Sequence, residues 1–127
     1  MSYSMEITDQ FIKWNDALCT GDLEKVIACY AEDAILLPTL STRVCRNHDE
    51  IRDYFVEFLA NKPIGRMDQE NIRRLDSIAV NSGLYTFSIV KNGRRSDLPA
   101  RFTFVYRKDA QGWRIIEHHS SLLPVQP

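Results

Sequence analysis

The sequence predicts an α+β protein in which three helices precede a sheet of long antiparallel strands. Apolar residues recur at helical spacing through the first half of the chain. After Gly65 the chain instead consists of extended segments separated by turn signals, of which Asn92-Gly93 is a strong hairpin signal. Helices followed by a run of strands is the order typical of an α+β architecture.

Two amphipathic helices are predicted at the N-terminal end. The first carries an apolar stripe at Ile7, Phe11, Trp14 and Leu18, and Gly21 ends it. Asp22 is a suitable N-cap for the second helix. In that helix the i, i+3, i+4, i+7 pattern is repeated by Leu23, Val26, Ile27 and Tyr30.

A short strand and a third helix come next. The apolar run Ala34 to Leu37 stops at Pro38, which suits a brief strand, and a polar loop follows. The third helix begins near Asn47, because Asn47 with Glu50 resembles a capping box. Its broad apolar face consists of Ile51, Tyr54, Phe55, Phe58 and Leu59.

Four strands are predicted in the second half of the chain. The first is expected at about Met67 to Val80, ending at the turn signal Asn81-Ser82-Gly83, and the second at Leu84 to Val90. The third is expected at about Leu98 to Lys108 and the fourth at about Trp113 to Leu122, with a turn between Asp109 and Gly112.

Length and composition restrict the class of protein. The 127 residues fit one domain, residues 1–127, without repeats or linkers. A formal charge of −1 argues against a nucleic-acid binder, and no apolar run is long enough for a membrane span. The N-terminus has no export signal, and the three cysteines, without a C-x-x-C pair, suit a reducing cytoplasm. We therefore expect a cytoplasmic protein that binds neither nucleic acid nor membrane.

Three segments carry a resemblance to a known superfamily: DLEKVIACYAEDAILLP, NHDEIRDYFVEFL and FTFVYRKDAQGWRIIEHHSS. Together they resemble the nuclear transport factor two-like superfamily, and within it the SnoaL-like proteins of the SgcJ/EcaC type. That branch also includes the association (hub) domain of calcium/calmodulin-dependent protein kinase II. The resemblance implies a cone-shaped, cystatin-like fold in which the three helices pack on a strongly curved antiparallel sheet around a cavity.

Two adjacent histidines are the first candidates for a functional site. Neighbouring residues of a regular strand point to opposite faces, so His118 and His119 cannot both ligate one metal or line one pocket. We therefore expect neither a metal site nor a cofactor. The hub resemblance favours His118 and Ser120 as the residues facing the cavity, although the sequence leaves the choice between His118 and His119 open.

An arginine on the preceding strand is the second candidate. The resemblance implies that Arg101 is a cavity cation suited to a carboxylate or phosphate, with a two-residue ambiguity toward Thr103. The alternative is an exposed arginine near a strand end. Four aromatic residues, Tyr30, Tyr54, Tyr85 and Trp14, are expected to face inward, as cavity lining or as plain core.

Two functions are compatible with the sequence, and the first is preferred because the carboxylate patterns of the enzymatic relatives are missing and the last strand resembles that of the hub domain. The first is an association-domain-like module that forms homodimers or larger assemblies and binds a small, anionic molecule in its cavity. Assembly would use the outer sheet face, on which we expect aromatics such as Phe102 and Phe104. The second is a SnoaL-like isomerase, cyclase or hydrolase acting on a small hydrophobic substrate, with His118 as the acid–base residue. The ligand, any reaction and the number of subunits are not determined by the sequence.

Overall fold

The computed structural model describes residues 3–124, with side chains from Met5 onward. In chain order the elements are α1 (Tyr3–Thr20), α2 (Leu23–Ile27), β1 (Tyr30–Leu37), α3 (His48–Ala60), β2 (Ile64–Leu75), β3 (Ile78–Lys91), β4 (Arg94–Asp109) and β5 (Gly112–Leu122). The strands form one sheet in the order β1-β5-β4-β3-β2. This is the predicted α+β arrangement of three helices and a sheet.

The helices begin where capping side chains satisfy their first backbone N–H groups. Asp22 accepts hydrogen bonds from the backbone N–H groups of Glu24 and Lys25 at the start of α2. Asn47 accepts one from Glu50 N at 2.9 Å, which confirms the predicted start of α3. The Glu50 carboxylate does not complete a capping box with Asn47, because it accepts from Arg46 N instead.

The core lies between the helices and one face of the sheet, which we call the inner face. The predicted stripe of α1 is buried throughout, and Trp14 stacks on Tyr85 of β3 at 6.3 Å between ring centroids. On α3, Phe58 packs edge-on against Phe87 of β3 at 5.3 Å. The inner face of the sheet is therefore covered by aromatic contacts with the helices.

Several strand boundaries differ from the prediction: β1 begins at Tyr30 rather than Ala34, β2 spans Ile64–Leu75, β3 begins at Ile78 and β4 at Arg94. The turn after the first long strand falls at Asp76-Ser77, and Asn81-Ser82-Gly83 lies inside β3. Asp76 has a φ of 58°, a left-handed conformation that Asp tolerates better than most residues. Tyr30, expected at the end of the second helix, instead starts β1, because the Cys29 carbonyl accepts a hydrogen bond from Ile115 N and aligns this segment with β5.

The sheet is mixed rather than wholly antiparallel. β1 pairs in parallel with β5, with Leu36 opposite His118, while the other three pairings are antiparallel. The remaining predicted turns, at Asn92-Gly93 and between Asp109 and Gly112, are confirmed. The parallel pairing brings the loop after β1 close to the end of β5, and this is where the candidate site lies.

Candidate functional site

A β-bulge in β5 determines which histidine is buried. The register of β4 and β5 shifts between the pairs Val105–Glu117 and Tyr106–Ile115. Because one extra residue is inserted there, both Ile115 and His118 point to the inner face although they are three residues apart. His118 is 2% exposed and Ser120 is 6% exposed, whereas His119 is exposed to solvent.

His118 lies at the centre of a buried chain of hydrogen bonds. Its Nδ1 is 2.9 Å from the Tyr30 hydroxyl and its Nε2 is 3.1 Å from the Tyr85 hydroxyl. Trp14 Nε1 donates to the Tyr30 hydroxyl at 3.1 Å, and the Tyr85 hydroxyl donates to Ser120 Oγ at 2.6 Å. Because the Tyr85 hydroxyl uses its proton in the hydrogen bond to Ser120, it accepts a hydrogen bond from His118 Nε2–H. The unprotonated Nδ1 then accepts a hydrogen bond from the Tyr30 hydroxyl.

The surroundings of His118 keep its ring neutral. Burial in the core, with a smaller contribution from the neighbouring His119, lowers the pKa of His118 to about 3. The ring also stacks on Phe104 at 4.0 Å between centroids. Since both ring nitrogens are hydrogen-bonded to tyrosines, His118 has no free nitrogen with which to accept a proton from a substrate.

A small cavity lies beside this chain of hydrogen bonds. Its volume is about 10 Å3, the space of one water molecule. Thr39 and Ser120 form part of its wall and share a very short side-chain hydrogen bond, and the Tyr54 hydroxyl donates to the Thr39 carbonyl at 3.0 Å. Six of the predicted site residues are therefore brought together in or beside this cavity: Trp14, Tyr30, Tyr54, Tyr85, His118 and Ser120.

Arg101 and Thr103 lie on the other face of the sheet, so their predicted placement in the cavity is wrong. Phe102, Phe104 and Tyr106 alternate with them along β4 and are all buried against the helices. This alternation places Arg101 opposite Ser121 on the outer face. The same pattern corrects the expectation of outward-facing aromatics, since Phe102 is 3% exposed and Phe104 is 0% exposed.

Thr39 is the site residue that sequence reasoning missed. It joins Tyr54 to Ser120 through its carbonyl and hydroxyl groups and is 4% exposed. It lies in a run of hydroxyl residues that has no defined spacing, and its contacts depend on the parallel pairing of β1 with β5. No local sequence pattern identifies it.

The outer face of the sheet is a second surface of interest, because the helices pack on the inner face. One cross-strand row spans all five strands in the order Arg73, Val80, Val105, Glu117 and Ile35. Val80, Val105 and Ile35 are only half-buried, and so is Ile78 in the next row on this face. The row has an aliphatic centre, with a positive charge at one end and a negative charge on β5.

The chain belongs to the calcium/calmodulin dependent protein kinase II association domain family, whose model matches residues 4–124. A solved association-domain structure from Xanthomonas campestris shares 44% sequence identity, with a TM-score of 0.95 over 99% of this chain and 91% of that one. A search of the curated proteins gave no match.

More distant structures share the fold. An NTF2-like protein with a cystatin-like fold from Novosphingobium aromaticivorans superposes with a TM-score of 0.80 at 13% identity, over 97% of this chain and 83% of that one. A CaMKII hub homology domain from Chlamydomonas reinhardtii gives a TM-score of 0.79 at 21% identity, over 97% and 100%. The predicted nuclear transport factor two-like fold and the resemblance to the hub domain are thus confirmed.

Across residues 3–124 no group of three or more His, Cys, Asp and Glu side chains is placed to hold a metal ion. Over the same range, no helix has both the length and the apolar character needed to cross a bilayer.

Proposed function

We propose that this protein is an association module that assembles with copies of itself through the outer face of its sheet. Membership of a family named for association supports assembly, and so does the hub homology domain among the similar folds. The observation that carries the proposal is the half-buried aliphatic row on a sheet face opposite the one covered by the helices. An antiparallel sheet that faces water usually presents polar side chains there.

The charges of this row suit a second copy of the chain. Arg73 on β2 and Glu117 on β5 lie on opposite sides of Val80 and Val105. If two sheets pack face to face about a two-fold axis parallel to the strands, the order of the row is reversed in the partner. Each arginine then lies opposite a glutamate, while the valines meet in the centre.

Two of the earlier expectations are not part of this proposal. An anionic ligand in the inner cavity would need a cation, and Arg101 lies on the outer face. Acid–base catalysis by His118 would need a ring that titrates near neutral pH, but burial lowers its pKa to about 3. We therefore assign no reaction to the protein.

The molar mass measured by light scattering after size-exclusion chromatography tests the proposal. The wild-type chain should elute at a multiple of its 14.7 kDa, and Val105→Asp should shift the mass toward the monomer because it buries a charge in the centre of the interface. Val56→Asp is the matched control, since Val56 on α3 is an apolar side chain that is 57% exposed outside the sheet. Equal shifts in mass for the two variants would contradict the assignment of this face.

A further inference from the structure

The inner cavity and an open groove on the surface share part of their lining. The groove has a volume of about 820 Å3, and Pro38, Thr39 and Ser120 belong to the lining of both spaces. We propose that the loop Pro38–Val44 is a lid over the inner cavity and that the opened site binds a small, neutral aromatic compound with a carbonyl oxygen. This inference is independent of the assembly proposed above.

Few interactions hold residues 40–44 of the loop, whereas Pro38 and Thr39 are buried at its start and Cys45, paired with Leu36 through two backbone hydrogen bonds, fixes its end. Pro38–Val44 has neither helix nor strand, and Leu40 and Val44 are 54% and 46% exposed. Leu40 also adopts a φ of 69°, in the left-handed region that a leucine seldom occupies. The ion pairs of Arg43 with Asp53 and Glu50 are at the surface, where such pairs contribute little. Since residues 40–44 are exposed, the cost of opening in free energy depends mainly on the contacts of Thr39.

The main attachment of the lid to the core is Thr39, and it occupies two hydroxyl donors. The Tyr54 hydroxyl donates a hydrogen bond to the Thr39 carbonyl. Ser120 Oγ accepts a hydrogen bond from Tyr85 and can donate one to Thr39 Oγ1. When the lid opens, both hydroxyls lose their acceptor. Two donors that converged on one residue are then free to converge on one carbonyl oxygen, which has two lone pairs.

The remaining lining specifies a neutral aromatic ligand. Six aromatic rings line the cavity, among them Phe55, Phe58 and Phe87, and its lining contains no Lys, Arg, Asp or Glu. His118, the only other titratable group of the lining besides its two tyrosines, is neutral at physiological pH. A carboxylate would lose its hydration without gaining a cation, whereas an uncharged ring would gain apolar contacts. The cavity of about 10 Å3 is too small for a ring, so binding requires the lid to move.

Three probes of similar size distinguish these features. Acetophenone carries the ring and the carbonyl oxygen, ethylbenzene the ring alone, and benzoate the ring with a negative charge. We expect a saturable titration with acetophenone, followed by the NMR signals of the Trp14 indole N–H. Affinity should be about 10-fold lower for ethylbenzene, which lacks the two hydrogen bonds, and lower still for benzoate. No binding of acetophenone, or binding of benzoate at equal affinity, would overturn the proposal.

Single substitutions then separate the carbonyl contacts from the lid. Tyr54→Phe and Ser120→Ala each remove one donor to the carbonyl oxygen and one attachment of the lid, so each should lower the ratio of acetophenone affinity to ethylbenzene affinity about 3- to 10-fold. Tyr106→Phe is the matched control, because this hydroxyl is buried outside the cavity lining. Thr39→Ala should act in the opposite direction and tighten binding, since it removes the side-chain attachment of the lid and raises the population of the open state. Weaker binding by Thr39→Ala, or equal losses in the control, would refute the lid.

Discussion

The pKa of His118 should make the stability of this protein depend on pH in a way that a single substitution removes. The ring titrates at about 3 in the folded protein, against an ordinary value of 6.5. Below pH 6.5 the unfolded chain therefore binds a proton that the folded chain does not. Above pH 6.5, His118 therefore does not lower the free energy of unfolding. As the pH falls from 6.5 toward 3, protonation of the unfolded chain lowers the free energy of unfolding progressively.

The size of this effect follows from the two pKa values. One pKa unit corresponds to about 1.4 kcal/mol, so between pH 7 and pH 4.5 the free energy of unfolding should fall by about 2.5 kcal/mol through His118 alone. Carboxylates with lowered pKa values, such as those of Asp33 and Asp68, lower the free energy of unfolding further at more acidic pH. Those losses are common to the wild type and to a variant without the histidine, so their difference isolates His118.

His118→Gln is the suitable variant because glutamine does not titrate yet retains one donor and one acceptor for the two tyrosines. Urea unfolding would be followed at both pH values by tryptophan fluorescence. The protein concentration is held equal, since self-association couples stability to concentration. The variant should be less stable than the wild type at pH 7, and its stability should fall less on acidification, by about 2.5 kcal/mol. The same decrease in both proteins would refute a neutral, buried His118.

Two further predictions concern the backbone and the thiols. Gly83→Ala should lower the free energy of unfolding by about 1–3 kcal/mol in a urea titration, because a methyl group there would overlap the Gln69 carbonyl oxygen, whereas Ser82→Ala should have little effect. An unchanged unfolding midpoint would contradict this close approach of β2 to β3. A thiol reagent should modify Cys19 rapidly and the buried Cys29 and Cys45 only after unfolding, because burial raises the pKa of Cys29 to about 11. Rapid reaction of all three thiols would contradict the packing.

Local patterns in the sequence were sufficient to predict most elements of the fold. Apolar periodicity located α1 and α3, Asp22 and Asn47 marked helix starts, and Asn92-Gly93 marked a hairpin. The errors arose where tertiary pairing overrides a local signal. Asn81-Ser82-Gly83 resembles a turn, yet it lies opposite residues of both β2 and β4 and continues as strand.

The candidate site was predictable only in part. Strand alternation predicts that His118 and His119 point to opposite faces of the sheet. Which positions of β5 are buried depends on a bulge, and the alternation of residues along the sequence does not show where a bulge lies. Arg101 was assigned to the cavity by resemblance, although the run Phe102, Phe104 and Tyr106 already indicated an aromatic face opposite to it. Thr39 depends on contacts between residues far apart in sequence, for which local spacing gives no signal.

A charge reversal followed by a measurement of molar mass shows whether copies of this chain associate through the outer face of the sheet. Glu117→Arg alone should reduce the mass toward 14.7 kDa, because it places like charges opposite each other across the interface. Adding Arg73→Glu to the same chain should restore the wild-type mass, since the attraction is re-established with opposite signs. A wild-type chain that is already monomeric at micromolar concentration, or a double variant with no recovery of mass, would show that this face is not an interface between copies of the chain.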